Sequence, residues 1–368
     1  MLCAQFVRMN DSATGVWRAE VLEPGTRAGE RRLAELQGQG RVREMHDTLE
    51  NQLAELVISR EPALKQDPAG VLAAVKRELA GRSWEEFGVW VYYPWRGVLV
   101  RLLPEGLFAE LRTNRNNNRI TPEEQRRLAR TRVGVVGLSV GASFALTLAM
   151  ERAVGTLCLA DFDTIELSNL NRIRTPLTSL GLPKWLITAR EIAEIDPFLQ
   201  VEVFPEGLKS HNLNAFFEDL DLVCDACDDL ATKANIRLQA RARQLPVVMD
   251  TSDRGMLDVE RYDWPDQIPS GYLHGRIDEQ MMLLFAGSNR WTPDALDAFV
   301  DLSAVSDRGR ASLAEVGRTL VAWPQLYSEV AAGGAAAAQA ARRILLGETI
   351  PDSRIYLDLD EQLAESLH

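Results

Sequence analysis

The stretch Asp161-Phe-Asp163-Thr-Ile-Glu-Leu-Ser-Asn169-Leu-Asn-Arg172, with Lys184 following, gathers carboxylates, an amide, a guanidinium and an ammonium within a short span. Such a set can meet one nucleotide. A carboxylate accepts ribose hydroxyls, and cations neutralise phosphate oxygens. Upstream, Gly137-Leu-Ser139-Val-Gly141-Ala142 sits where a strand would turn into a helix. A glycine turn there lets a backbone approach phosphate at a helix amino terminus, although Ser139 and Ala142 replace two of the three usual glycines. Downstream, Asp225-Ala-Cys-Asp228-Asp229 ends another apolar run with hard oxygen donors of the kind Mg²⁺ prefers.

These residues need a scaffold, and the pattern around them supplies one. From Arg132 onward, apolar strands alternate with helices: strand 133–136, helix 141–151, strand 156–160, helix 183–195, strand 199–204, a helix near 210–218, strand 221–226, helix 230–243 and strand 246–250. That rhythm predicts a Rossmann-like α/β fold with a doubly wound, mostly parallel sheet, whose ligands bind at the carboxyl ends of strands. Asp161 then falls at the end of the second strand. An NAD-dependent dehydrogenase would share this carboxylate, but the added cations at Arg172 and Lys184 suit three phosphates and a metal better.

The first ~105 residues read as a smaller α+β module. Helices are expected over 46–60, with Leu49, Leu53, Leu56 and Val57 on one face, and from Pro68 to before Gly81. Two strands flank a Pro-Trp-Arg-Gly turn within 89–103, and the aromatics Trp90, Tyr92, Tyr93 and Trp95 are expected to pack a core or an interface. The expected domains are 1–108 and 109–368, the latter with a crossover segment at about 250–300.

Of 368 residues, 53 are acidic and 41 basic, a net charge of −12 that argues against a broad footprint for nucleic acid or anionic membrane. No segment reaches the length of an apolar membrane span, and the beginning lacks a leader pattern, so a cytoplasmic location is expected. Cys224 and Cys227 form a CxxC without a second pair or a neighbouring histidine, so they are expected to be structural. The small residues of 331–341 are expected to serve close helix packing.

In order along the chain, these motifs resemble the ThiF/MoeB/HesA superfamily, the bacterial relatives of ubiquitin-activating enzymes. The resemblance runs from about Arg112 to the carboxyl terminus. Asp161, Asn169 and Arg172 match its Asp-Phe-Asp signature position by position, Lys184 resembles its phosphate lysine, and Asp228 matches the acidic residue of its strand-end motif. Arg112-Thr-Asn-Arg115-Asn looks like its arginine arm, whose second arginine reaches a nucleotide bound by the partner subunit. The segments around Pro324 and Ala341 are similar to its last helix, and Arg354-Ile-Tyr-Leu-Asp to its last strand.

The resemblance implies carboxylate adenylation with ATP and Mg²⁺ by a homodimer, on a peptide or small metabolite, with a partner enzyme as a further possibility. It assigns Asp161 to ribose and Arg115, Arg172 and Lys184 to phosphate. Asn169 falls to phosphate or metal orientation and Asp228 to Mg²⁺, while Gly137, Ser139, Gly141 and Asp163 complete the nucleotide site. The zinc-binding CxxC pairs of simpler members are absent, so no structural zinc is expected, and no cysteine follows Cys227 to carry a thioester or persulfide. Beyond the last core strand, His274 is read as a loop histidine or a proton shuttle titrating near neutrality. Arg254 and Arg276 are read as binding a substrate carboxylate or pairing with Asp250, Asp253 and Asp258. An NAD(P)-linked oxidoreductase and a non-catalytic nucleotide-binding scaffold are the alternatives.

Overall fold

The computed structural model describes residues 16–264, 270–288 and 290–365; Cys3 and the amino-terminal stretch read above lie outside the described residues. The chain divides into two compact units, one running up to Pro122 and taking in Arg190–Phe198, the other comprising Glu123–Ala189 and everything from Leu199 on.

The first unit holds a four-stranded sheet in the order β1-β3-β4-β2, from β1 (Glu20–Leu22), β2 (Glu44–Asp47), β3 (Val89–Tyr93) and β4 (Val98–Leu102). β3 and β4 form the expected antiparallel hairpin. The helices Leu49–Arg60 and Pro68–Leu79 pack on each other through Leu49, Leu53, Leu56, Val57, Val75 and Leu79, all buried. Tyr92 and Tyr93 are buried as well. One boundary differs from the sequence reading: residues 44–47 pair in parallel with β4, and the helix begins only at Leu49. The apolar period starts at Leu49, so nothing apolar tied Glu44–Asp47 to the helix. β1 and the helix Arg27–Gly38 were not anticipated.

The second unit is built on a seven-stranded sheet of order β11-β10-β9-β8-β5-β6-β7. Its strands are β5 (Arg132–Val136), β6 (Thr156–Ala160), β7 (Gln200–Phe204), β8 (Leu222–Asp225), β9 (Pro246–Thr251), β10 (Met256–Arg261) and β11 (Ser353–Tyr356). β7, β6, β5, β8 and β9 are parallel, while β10 and β11 run antiparallel to their neighbours. The chain fills the sheet outward from β5 in one direction through β6 and β7, then returns to start β8 on the other side. At that reversal the loops after β5, β6 and β8 part, which leaves a crevice. Register fixes which residues reach it, because Val136 lies level with both Ala160 and Asp225. Gly137, Asp161 and Ala226 therefore leave the sheet together.

β10 lies within the segment expected to cross over the site, and it carries Asp258 and Glu260, both about 1% exposed. The small-residue helix Tyr327–Leu345 packs on the helix Gly141–Glu151 and on β9. A Cβ at Gly333 would come within 2.4 Å of the Asp250 carboxylate, and one at Gly334 within 2.5 Å of the Ser143 hydroxyl. Close approach is what those glycines permit. Among the described residues, no helix is long and apolar enough to cross a membrane.

Candidate active site

A cavity of about 660 Å³ opens at the sheet reversal. Gly137, Ser139, Asp161, Asp163, Asn169, Arg172, Lys184 and Asp228 line it, so eight residues singled out from sequence meet in one cavity.

Gly137 adopts φ +87°, and a Cβ there would stand 2.4 Å from the Ala226 carbonyl oxygen, so only glycine fits the turn. The Asp161 carboxylate then braces the loop, accepting from the Leu138 amide at 2.6 Å and the Asp163 amide at 2.7 Å. Burial raises its pKa, and those two amides oppose the rise. Ser139 reaches the cavity with its hydroxyl buried and without a partner. Gly141 lies away from the lining; its missing Cβ lets the helix Gly141–Glu151 approach Val135 and Ala226, both of which a Cβ would meet within 3.0 Å.

The second wall is a 3-10 turn, Leu167–Asn171. Asn169 shapes it, its side-chain oxygen accepting from the Glu166 amide at 3.1 Å. Arg172 follows, its guanidinium held by the Ser168 carbonyl and the Asn171 side chain while Nε is buried without a partner. Lys184 is buried at the start of the helix Lys184–Ile195 and donates to Asp163 at 2.8 Å. The pair holds a cation in reserve, since a phosphate can displace the exposed carboxylate.

The third wall is the turn after β8. Asp229 caps the helix Leu230–Arg243 through the Thr232 amide at 2.8 Å. Asp228 lines the cavity, and its carboxylate has no protein partner among the described residues. Beneath, Asp225 is fully buried and bound by Lys233 at 3.2 Å and by Arg237. Burial works against its charge, but the two cations hold it down at about 2. Cys227 also lines the cavity; burial pushes its thiol well up and its Sγ lies 3.2 Å from Asp225, so it is no ready nucleophile. Phe162, Gly207, Leu208, Lys209 and Thr232 also line the cavity and were missed from sequence. The rule that found Asp161, the loop after each parallel strand, applies equally to Gly207–Lys209 after β7. Arg115 belongs to the first unit, on the 3-10 turn Asn114–Asn116.

Residues beyond β9 turn out differently from expectation. His274 is not poised near neutrality. It is clamped between Asp258, at 3.0 Å, and Asp352. Burial opposes its charge, yet the two carboxylates lift its pKa to about 10. Arg254 pairs with Asp358 and Glu361, and Arg276 with Asp301, rather than with Asp250, Asp253 or Asp258. All three side chains are structural clasps.

A folded pKa near 10 against about 6.5 unfolded makes the His274 clasp fully stabilising below pH ~6.5 and lost as pH rises through about 10. We expect His274→Asn to cost most stability at pH 6 and progressively less toward pH 10, read as the gap between wild-type and variant urea midpoints. A gap independent of pH would refute the clasp.

Residues 112–255 match the ThiF family. Over 320 residues, 84% of this chain, the sequence is 45% identical to an uncharacterized protein of Mycobacterium tuberculosis (strain CDC 1551 / Oshkosh), covering 44% of that protein. The sulfur carrier protein ThiS adenylyltransferase of Escherichia coli (strain K12) is 30% identical over 131 residues, 35% of this chain and 52% of that one. The chain thus spans about half the length of the curated relatives it matches. A crystal structure of PaaA shares the fold, with a TM-score of 0.51 at 18% identity over 84% of this chain and 94% of that chain.

Proposed function

We propose, from the premise that this chain belongs to the ThiF/MoeB superfamily, that it adenylates a substrate carboxylate with ATP. One observation carries the reading: the cavity presents unspent donors. Among the described residues, Ser139 Oγ and Arg172 Nε are buried without partners, and Lys184 pairs with a half-exposed carboxylate. Three such groups lining one cavity suit the oxygens of a polyphosphate. A related protein named as an adenylyltransferase adds support.

A carboxylate oxygen of the substrate attacks the α-phosphorus of ATP, the bond to the bridging oxygen breaks, and pyrophosphate leaves with that electron pair. The product is an acyl-adenylate, open to a nucleophile. Asp161 accepts the ribose hydroxyls. Arg172 and Lys184 neutralise charge building on the phosphates, and Ser139 donates a hydrogen bond that helps hold them in line. Asp228, whose carboxylate has no protein partner among the described residues, would hold Mg²⁺ in the same cavity. When bound, the ion neutralises phosphate charge. Asn169 orients the Arg172 turn.

A homodimer in which Arg115 reaches the other copy's nucleotide, a domain boundary near residue 108 and a substrate- or partner-holding role for residues 1–108 belong to the same reading. So does a peptide or small metabolite as substrate. ATP–pyrophosphate exchange across a panel of amino acids, short peptides and simple acids tests it. Carboxylate-dependent exchange above background, abolished in Arg172→Ala, is the expected result. Exchange unaffected by Arg172→Ala would remove the residue assignment.

A further inference from the structure

Trp291, between the helices Glu279–Ala286 and Pro293–Val300, donates its indole N–H to the main-chain carbonyl of Asp228 at 3.3 Å. Its ring packs edge-on against Phe299 at 5.8 Å. Phe299 is buried, and the Arg237 guanidinium lies 4.8 Å and the Lys233 ammonium 5.8 Å from its ring centre. Those two cations hold Asp225, whose carboxylate also accepts from the Cys227 amide at 3.3 Å. The turn 225–229 is therefore gripped at both ends. Asp225 fixes its start from inside the sheet, and Trp291 fixes its Asp228 carbonyl from a segment more than sixty residues away. Both grips meet on Phe299.

We infer that Trp291 is a positioning residue for Asp228, docking the start of the helix Pro293–Val300 onto the acid turn and setting the direction in which the Asp228 carboxylate points. The inference rests on the reading that Asp228 faces Mg·ATP. Pinning the carbonyl fixes the peptide plane that follows Asp228 and so the rotation of that residue about its own backbone. Trp291 is 37% exposed, at the edge of the buried cluster that Phe299 belongs to. By linkage, whatever binds the Asp228 carboxylate favours the docked indole, and the docked indole favours that binding by the same factor.

The test is calorimetric ATP affinity of the full chain, with Mg²⁺ and with EDTA, for wild type and Trp291→Phe. Phenylalanine keeps an aromatic ring beside Phe299 and loses the indole N–H with part of the ring surface. We expect Trp291→Phe to cut the Mg²⁺-dependent gain in ATP affinity about fivefold, with affinity in EDTA and melting temperature unchanged. Trp291→His, which restores a ring N–H, should recover part of the gain and serves if the first variant misfolds. An undiminished gain in both variants would overturn the positioning role while leaving adenylation standing. A wild-type chain that binds no ATP at all would overturn the adenylation reading and this inference with it.

Discussion

Asp228→Asn is expected to abolish the Mg²⁺-dependent gain in ATP affinity and, with the substrate carboxylate supplied, to slow adenylation by about 10³-fold, without lowering the melting temperature. Among the described residues the Asp228 carboxylate serves no protein partner, so its loss breaks no hydrogen bond of the fold. The turn that carries it is secured elsewhere, by Asp225 under Lys233 and Arg237 and by the Asp229 cap on the helix Leu230–Arg243. An amide in the same place has the same shape and no charge. Function should fall and stability should not. A variant that lost several degrees of melting temperature would mean that Asp228 is structural, and one with full Mg²⁺ dependence would mean that the metal binds elsewhere.

Arg237→Ala should act the other way, costing about 3–5 kcal/mol of stability. Arg237 is wholly buried and faces two buried carboxylates, Asp225 and, at 2.8 Å, Glu260. Removing it strands both in a low-dielectric interior. The charge of Asp225 would then lose one of the two cations that hold its pKa near 2. A group depressed in the fold contributes stability that is complete above its usual pKa of ~3.9 and lost as pH falls toward 2. The variant should accordingly show a flatter acid limb as well as a lower midpoint in chemical denaturation. Denaturation indistinguishable from wild type would show that the network does not support the sheet.

The contrast between these two aspartates marks how far the sequence could be read. Strands β5 and β6 and the helices Gly141–Glu151 and Leu230–Arg243 were legible because each is an apolar run or face bounded by glycine or a cap. The positions of Gly137, Asp161 and Asp228 followed from those boundaries, since the ends of parallel strands in register share one crevice. β10 was not legible as part of the sheet, because Asp258 and Glu260 interrupt the apolar pattern a buried strand usually carries. Their partners, Arg237, His274 and Arg354, are remote in sequence, and only the fold brings them together. The proton-shuttle alternative for His274 falls for that reason: a glycine-flanked loop gives no hint of two carboxylates arriving from β10 and from Asp352. The resemblance gave Asn169 to phosphate or metal orientation, and in the fold its side-chain oxygen also shapes the turn that presents Arg172.

The most direct measurement is a calorimetric titration of the full chain with Mg·ATP and, separately, with NAD. Saturable Mg·ATP binding, weakened at least tenfold in Arg172→Ala and accompanied by no response to NAD, is the result that a phosphate-binding wall of Ser139, Arg172 and Lys184 requires. Saturable binding of NAD with no binding of Mg·ATP would contradict it.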